Sequence, residues 1–301
     1  MMNDKPKKVP VLITWDADPH GAISLDNEKL SYDLMLKMLK DVGVLSTIYF
    51  PGEVAKRLPQ KVKALDFEGH EIACHGLTHG DEEEYDVMPE NMLRSYLFKA
   101  KTIIEEIINK PISSFRAPRV KTSALTQKVL EEVGFVSDFS VNSQRMDVVS
   151  SNLINIGWLF APRLPYHPST KNPYKRGDRK LWVVPNSAIL LPFISTATKV
   201  FGLSFMKWMF KLLYRESLRN NKPIVYIIHP YELVEHTVKV DRPPFSLKTI
   251  KTHGFVFRDW FYEKDAKKIY NLNKELFIYM KSFAEVEFVT ASDYLNRWLN
   301  K

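Results

Sequence analysis

Two rhythms of apolar and polar positions alternate along the chain. Val9–Trp15 is a short, continuous apolar and β-branched run, the pattern of a strand buried on both faces. Asp26–Val42 then switches to helical spacing through Leu30, Leu34, Met38 and Leu39, and Gly43 predicts its end. The alternation repeats. Leu45–Phe50, Glu71–Cys74, Ser114–Arg116, Phe135–Phe139, Leu181–Pro185, Pro223–His229 and Glu287–Thr290 read as strands. Val54–Phe67, Pro89–Asn109, Ser123–Val133, Lys199–Asn220 and Lys264–Ala284 read as helices between them. A βαβα order of this kind predicts a parallel sheet, and its many units fit a closed or nearly closed barrel better than an open sheet. Two stretches break the rhythm, Met146–Lys180 and Glu232–Trp260, and read as long loop insertions of a functional kind. The expected organisation is a flexible segment over residues 1–8 and a single domain over 9–301.

Composition narrows the class. The 301 residues are 45% hydrophobic and 26% charged, as in an ordinary globular chain, and no stretch has the roughly 18 apolar residues of a membrane span. No apolar run follows the basic start, because Asp16 interrupts the run from Val9, so no secretory leader is expected. The lone Cys74 forms neither an internal disulfide nor a cysteine-rich zinc site, which points to a reducing, cytoplasmic setting. The net charge of +8 is uneven. Residues 1–150 carry 19 basic against 23 acidic side chains, whereas residues 163–222 carry 12 against 2. That excess favours an anionic partner. Nucleic acid is not the partner expected; an anionic membrane touched through 187–220 is. There Val200, Phe201, Phe205, Trp208, Met209 and Leu212 accompany Lys199, Lys207, Lys211, Arg215 and Arg219 in a basic amphipathic helix, which reads either as a barrel helix with solvated lysines or as one that also touches the inner face of a membrane.

Barrel chemistry sits at the C-terminal ends of the strands. Here those ends carry Asp16-Ala-Asp18, His75-Gly-Leu-Thr-His79, Arg116-Ala-Pro-Arg119, Asp138 and His229-Pro230. Two imidazoles and a carboxylate converging on one mouth make a facial metal site of the kind zinc takes in hydrolases. Each short pattern alone is weak; the ordered set is specific.

In that order, the residues resemble the polysaccharide deacetylase family, the NodB-homology domain. Thr14-Trp-Asp16-Ala-Asp18 is similar to its first motif in the Asp-x-Asp form. His75-Gly-Leu-Thr-His79 is similar to the second, Arg116-Ala-Pro118 to the third and Ile227-Ile-His229 to the last. The departures are Arg119, where many members have tyrosine, and Ser137-Asp138-Phe-Ser-Val-Asn142, a weak match to an aspartate-rich fourth motif in which Asp138 or Asn142 takes the acidic place.

The resemblance implies a distorted (β/α)7 barrel and a metal-dependent hydrolase that removes an N-linked acyl group, acetyl above all, from an amino-sugar-containing glycan or lipid-linked sugar. It implies one divalent ion, Zn2+ first, held by Asp18, His75 and His79. Asp16 would be general base, Arg116 its orienting partner, His229 general acid and Asp138 the group that holds His229, with Pro118 and Arg119 lining the substrate. Other readings stay open: hydrolysis of a small or cyclic amide on the same fold, or a non-catalytic sugar-binding member. A haloacid-dehalogenase-like phosphatase leaves the histidine pair unexplained, and an Asp-x-Asp glycosyltransferase would carry that motif after a nucleotide-binding half, whereas here it lies at residue 16. His20, His70, His167, His236 and His253 read as loop or structural residues, and Cys74 as a buried inert thiol.

Overall fold

A computed structural model describes residues 7–144, 156–236 and 264–299. Its main sheet has eight strands and runs parallel in the order β10-β1-β2-β3-β4-β5-β6, with β9 also paired to β1. The strands are β1 (Val9–Asp16), β2 (Thr47–Phe50), β3 (Glu71–Cys74), β4 (Ser114–Phe115), β5 (Ser137–Asp138), β6 (Trp182–Val183), β9 (Ile224–Ile228) and β10 (Val286–Phe288). A small antiparallel hairpin, β7 (Ala188–Ile189) and β8 (Leu191–Pro192), stands apart. The sheet curls into the distorted (β/α)7 barrel expected. No strand pairing joins β6 to β9 among the described residues. The segment between them spans the gap instead, through a bond from the Val225 amide to Ser187 Oγ (3.0 Å) and a parallel bridge of Ile194 with Ile227.

The helices are α1 (Leu25–Val42), α2 (Gly52–Arg57), α3 (Pro59–Phe67), α4 (Glu90–Ile108), α5 (Ala124–Val133), α6 (Ile156–Phe160), α7 (Ser195–Asn220), α8 (Ala266–Lys281) and the short α9 (Ala291–Tyr294). Ser24 and Ser123 cap α1 and α5 by accepting backbone N–H bonds, and left-handed Gly43 and Gly134 end them. Pro59 splits the single helix expected over Val54–Phe67 in two, since proline begins a helix but cannot continue one. α7 starts at Ser195, earlier than expected, and is broken at Gly202 (φ 75°). Within the first expected insertion, residues 156–180 hold α6 and a bridge of Tyr166 with Val183; 146–155 lie outside the described residues, as do 237–260 of the second and residues 1–6.

β1 is buried along its whole length, and its alternate residues serve two different cores. Val9, Val11, Ile13 and Trp15 pack outward against helix residues such as Tyr32, Met35 and Leu39. Leu12 points inward, to Tyr49, Ala73, Phe139, Val184 and Val225. This period of two decides which side chains reach the barrel mouth.

Candidate metal centre and active site

Thr14 and Asp16 share the inward face with Leu12, and Arg116, next to outward Phe115, joins them. Arg116 is fully buried. Its Nη1 donates to Asp16 Oδ1 (2.5 Å) and to Thr14 Oγ1 (3.0 Å), while the guanidinium lies 4.4 Å from the Tyr49 ring. Nη2 donates to Asn186 Oδ1 (3.0 Å), and Asn186 in turn donates to Asn142 Oδ1 (2.9 Å). One oxygen of Asp16 is thus fixed by a charge-assisted bond that a chain of buried amides orients.

Two residues further on, Asp18 meets the histidine pair. Its Oδ1 lies 3.0 Å from His75 Nε2 and 3.4 Å from His79 Nε2, and ligand atoms of the three residues fall within 4.8 Å of one another. That oxygen is buried and accepts no hydrogen bond of good geometry. A buried, unbonded carboxylate oxygen facing two imidazoles is costly unless a cation completes it. Burial opposes ionisation of Asp18, yet the His79 imidazole above all holds its carboxyl well below the usual range. His75 Nδ1 faces the Arg116 carbonyl at 2.7 Å. A carbonyl only accepts, so Nδ1 carries the proton and Nε2 offers its lone pair, the outer-shell arrangement of metal-bound histidines. The donor set fits a divalent ion such as zinc.

The backbone between the histidines is held by Glu83, which the sequence reading passed over within an acidic run. Glu83 is buried and accepts from the backbone N–H groups of Leu77 (2.5 Å), Thr78 (2.7 Å) and His79 (2.6 Å), and from the Tyr85 hydroxyl (2.5 Å). His79 itself is left-handed (φ 63°).

His229 approaches Asp18 from β9, with Nε2 3.7 Å from Oδ2. Its Nδ1 is bonded at 2.7 Å to Glu232, not to Asp138. Glu232 is fully enclosed, accepts from Ser195 Oγ (2.8 Å) and lies 3.1 Å from Lys199 Nζ. Burial works against both charges. Even so, Lys199 and His229 draw Glu232 down to about 2, and the Glu232 bond with the nearby Asp18 charge pushes His229 up to about 9. Glu232 was not foreseen, and Lys199, expected among the outer cations of its helix, turns inward to this ion pair instead, as Met209 of the same helix turns into the core; nothing at sequence level links residue 199 to residue 229.

Strand parity corrects the role given to Asp138. Phe139, the residue after β5, takes the inward position, so Asp138 faces the other way, where Thr122 Oγ1 (3.2 Å), Gln127 Nε2 (3.1 Å) and the Ser140 amide (2.9 Å) engage its carboxylate. Burial raises its pKa despite those bonds. Asn142, the alternative for the fourth motif, is the one coupled to Arg116. Arg119 (φ 55°) donates to the Gly80 carbonyl (2.8 Å) and Pro118 packs beside Gly76, so both flank the loop that carries His79. His20, read as a loop residue, stacks on Tyr231 (4.3 Å), which stacks on His229 (5.1 Å). His167 bonds the Leu181 carbonyl (3.1 Å), and Cys74 is buried, its thiol pushed up by burial. His253 lies outside the described residues.

The same architecture recurs in solved structures. It superposes on a probable polysaccharide deacetylase from Pseudomonas aeruginosa PAO1 with a TM-score of 0.59 at 16% identity, covering 97% of this chain and 91% of that one. The Puue allantoinase matches with a TM-score of 0.60 at 16% identity over 98% and 92%. Identities this low speak for the fold alone. In sequence, residues 3–137 match the family described as polysaccharide deacetylase. The peptidoglycan deacetylase-like protein FGM2 of Gibberella zeae is 32% identical over 110 residues, 36% of this chain and 32% of its own length. The Helicobacter pylori peptidoglycan deacetylase is 26% identical over 107 residues, 36% of each chain. These matches span about a third of the length of the curated relatives.

Proposed function

We propose that the protein is a hydrolase, dependent on one divalent ion and zinc first, that removes an N-linked acetyl group from an amino-sugar-containing glycan or lipid-linked sugar. The observation that carries this reading is the buried, unbonded Asp18 Oδ1 between the Nε2 atoms of His75 and His79, with His229 beside it. The peptidoglycan deacetylase relatives support an acylated sugar as substrate.

Asp18, His75 and His79 would hold the ion, which supplies a Lewis acid for water and for the acyl oxygen. The chain's own groups move the protons. Asp16, steadied by Arg116, takes one from the water that attacks the acyl carbon. His229, kept protonated by Glu232, gives one to the departing amine nitrogen as the C–N bond breaks. Water and amide are thereby converted to acetate and free amine.

Product analysis on N-acetylated oligosaccharides, lipid-linked sugars and small cyclic amides, with and without chelator, tests the reading. The expected result is acetate release from the sugars that chelator abolishes and added metal restores. Asp16→Asn should keep the metal and lose about 10²–10⁴-fold in turnover, the scale of a missing general base. His79→Ala should lose metal and activity together. Full metal content in His79→Ala, or chelator-insensitive hydrolysis, overturns it.

A further inference from the structure

α7 has two faces of opposite character. Met206, Met209, Phe210, Leu213 and Ser217 form its buried face. On the other side, at helical spacing, stand Trp208, Lys211, Arg215 and Arg219, all exposed. Before them come Val200 (38% exposed) and Phe201 (48%), both just ahead of the break at Gly202, while Trp208 is 50% exposed. Phe205 makes tilted ring contacts with Phe201 and with Trp208, with centroids 4.8 and 5.5 Å apart. The outer stripe therefore begins as an apolar wedge and continues as a row of cations. Lys211, Arg215 and Arg219 have no ion pair with a described residue, and the acidic residue of that stretch, Glu216, is already bound to Arg163 (2.5 Å) and Lys222 (3.1 Å).

Single exposed apolar side chains are ordinary, but a contiguous aromatic group is a mark of contact. Two observations choose among partners. The rings lie tilted against one another in one cluster, so they offer a compact apolar group and not the separate open platforms on which nucleic-acid bases stack. The stripe also carries no carboxylate that would neutralise the cations of a second copy of the chain. A flat surface that admits apolar side chains and presents anions to the cations beside them satisfies both.

We propose that the outer face of α7 docks on an anionic lipid surface, with Phe201 and Trp208 entering the headgroup–acyl boundary and Lys211, Arg215 and Arg219 facing lipid phosphates. This stands independently of the hydrolase reading, and its test does not use turnover to decide it.

The purified full chain is sedimented with vesicles of phosphatidylcholine alone and of phosphatidylcholine mixed with phosphatidylglycerol. Binding is expected to the mixed vesicles only, weakening as salt rises. Charge reversal at all three cations (Lys211→Glu, Arg215→Glu, Arg219→Glu) should weaken it roughly 10²-fold, given about 1 kcal/mol per cation near the surface. Phe201→Ser with Trp208→Ser should weaken it as well. Both variants should keep the wild-type melting temperature and the wild-type hydrolysis of a soluble acetylated oligosaccharide. Equal binding to both vesicle types, binding to neither, or undiminished binding by the charge-reversed protein overturns the proposal. So does a finding that these substitutions abolish self-association or RNA retention while vesicle binding is absent.

Discussion

Gly76 follows the ligand His75 directly, three residues before His79, and has no room for a side chain. A Cβ there would lie 2.7 Å from Glu83 Oε1 and 2.9 Å from the Tyr85 hydroxyl, and its φ of 81° is left-handed. Gly76→Ala should therefore both strain the loop and displace Glu83, at a cost of about 1–3 kcal/mol. Metal affinity should fall about 10–100-fold, the usual effect of disturbing the groups that orient metal ligands. Competition with a chromogenic chelator measures it, and unchanged affinity would remove Glu83 from the account. At this scale the sequence displayed Asp18, His75 and His79 openly, because their chemistry and spacing are unusual. Glu83 was hidden because Glu82, Glu83 and Glu84 look alike on paper, and only burial of the middle one distinguishes it.

Between elements, the question is which strand face each residue takes. Asp16, Arg116 and His75 are inward by the alternation that began with Leu12, and the order of motifs already implied their convergence. Asp138 failed because β5 is too short to display its own parity, and Phe139 is what turns inward. The partner of His229 comes from the turn after β9, braced by Lys199 from α7, a contact between elements with no local signature.

That contact has a pH consequence. Glu232, depressed from 4.5 to about 2, contributes stability that is complete above 4.5 and lost as pH falls toward 2. His229, raised from 6.5 to about 9, contributes stability that is complete below 6.5 and lost as pH rises toward 9. Urea unfolding of the chelator-treated protein should thus show both contributions in full between pH 4.5 and 6.5. Glu232→Gln should flatten both limbs and cost about 3 kcal/mol in that window, the scale of a buried pair deprived of one partner. An unaltered pH profile in the variant would dissolve the pairing.

For the molecule as a whole, the barrel was legible because the hydrophobic period changes with every element. Its seam was not. The side of β9 away from β1 is held by Ser187 and the Ile194–Ile227 bridge in place of a strand ladder, and a single hydroxyl leaves no trace in a hydropathy pattern. Ser187→Ala should cost about 1–2 kcal/mol through the unsatisfied Val225 amide. Hydrogen exchange should quicken at Val225 well before the amides of β1, since local opening starts where buried bonds are few. Uniform exchange across β1 and β9 would mean the seam is as strong as the ladder.

β1 binds β2, β9 and β10, and Thr14 bonds a carbonyl 212 residues away. On the ribosome this strand leaves the exit tunnel long before two of its three neighbours exist. Its apolar edge must wait, uncovered, through most of synthesis, at the speed set by translation and not by the chain's own search. Asp16 and Asp18 wait with it, because His229 is made after β9. The working centre is thus assembled as one of the last events in the protein's birth, and a ribosome stalled before β9 would release a chain with its ligands in place but its proton donor unmade.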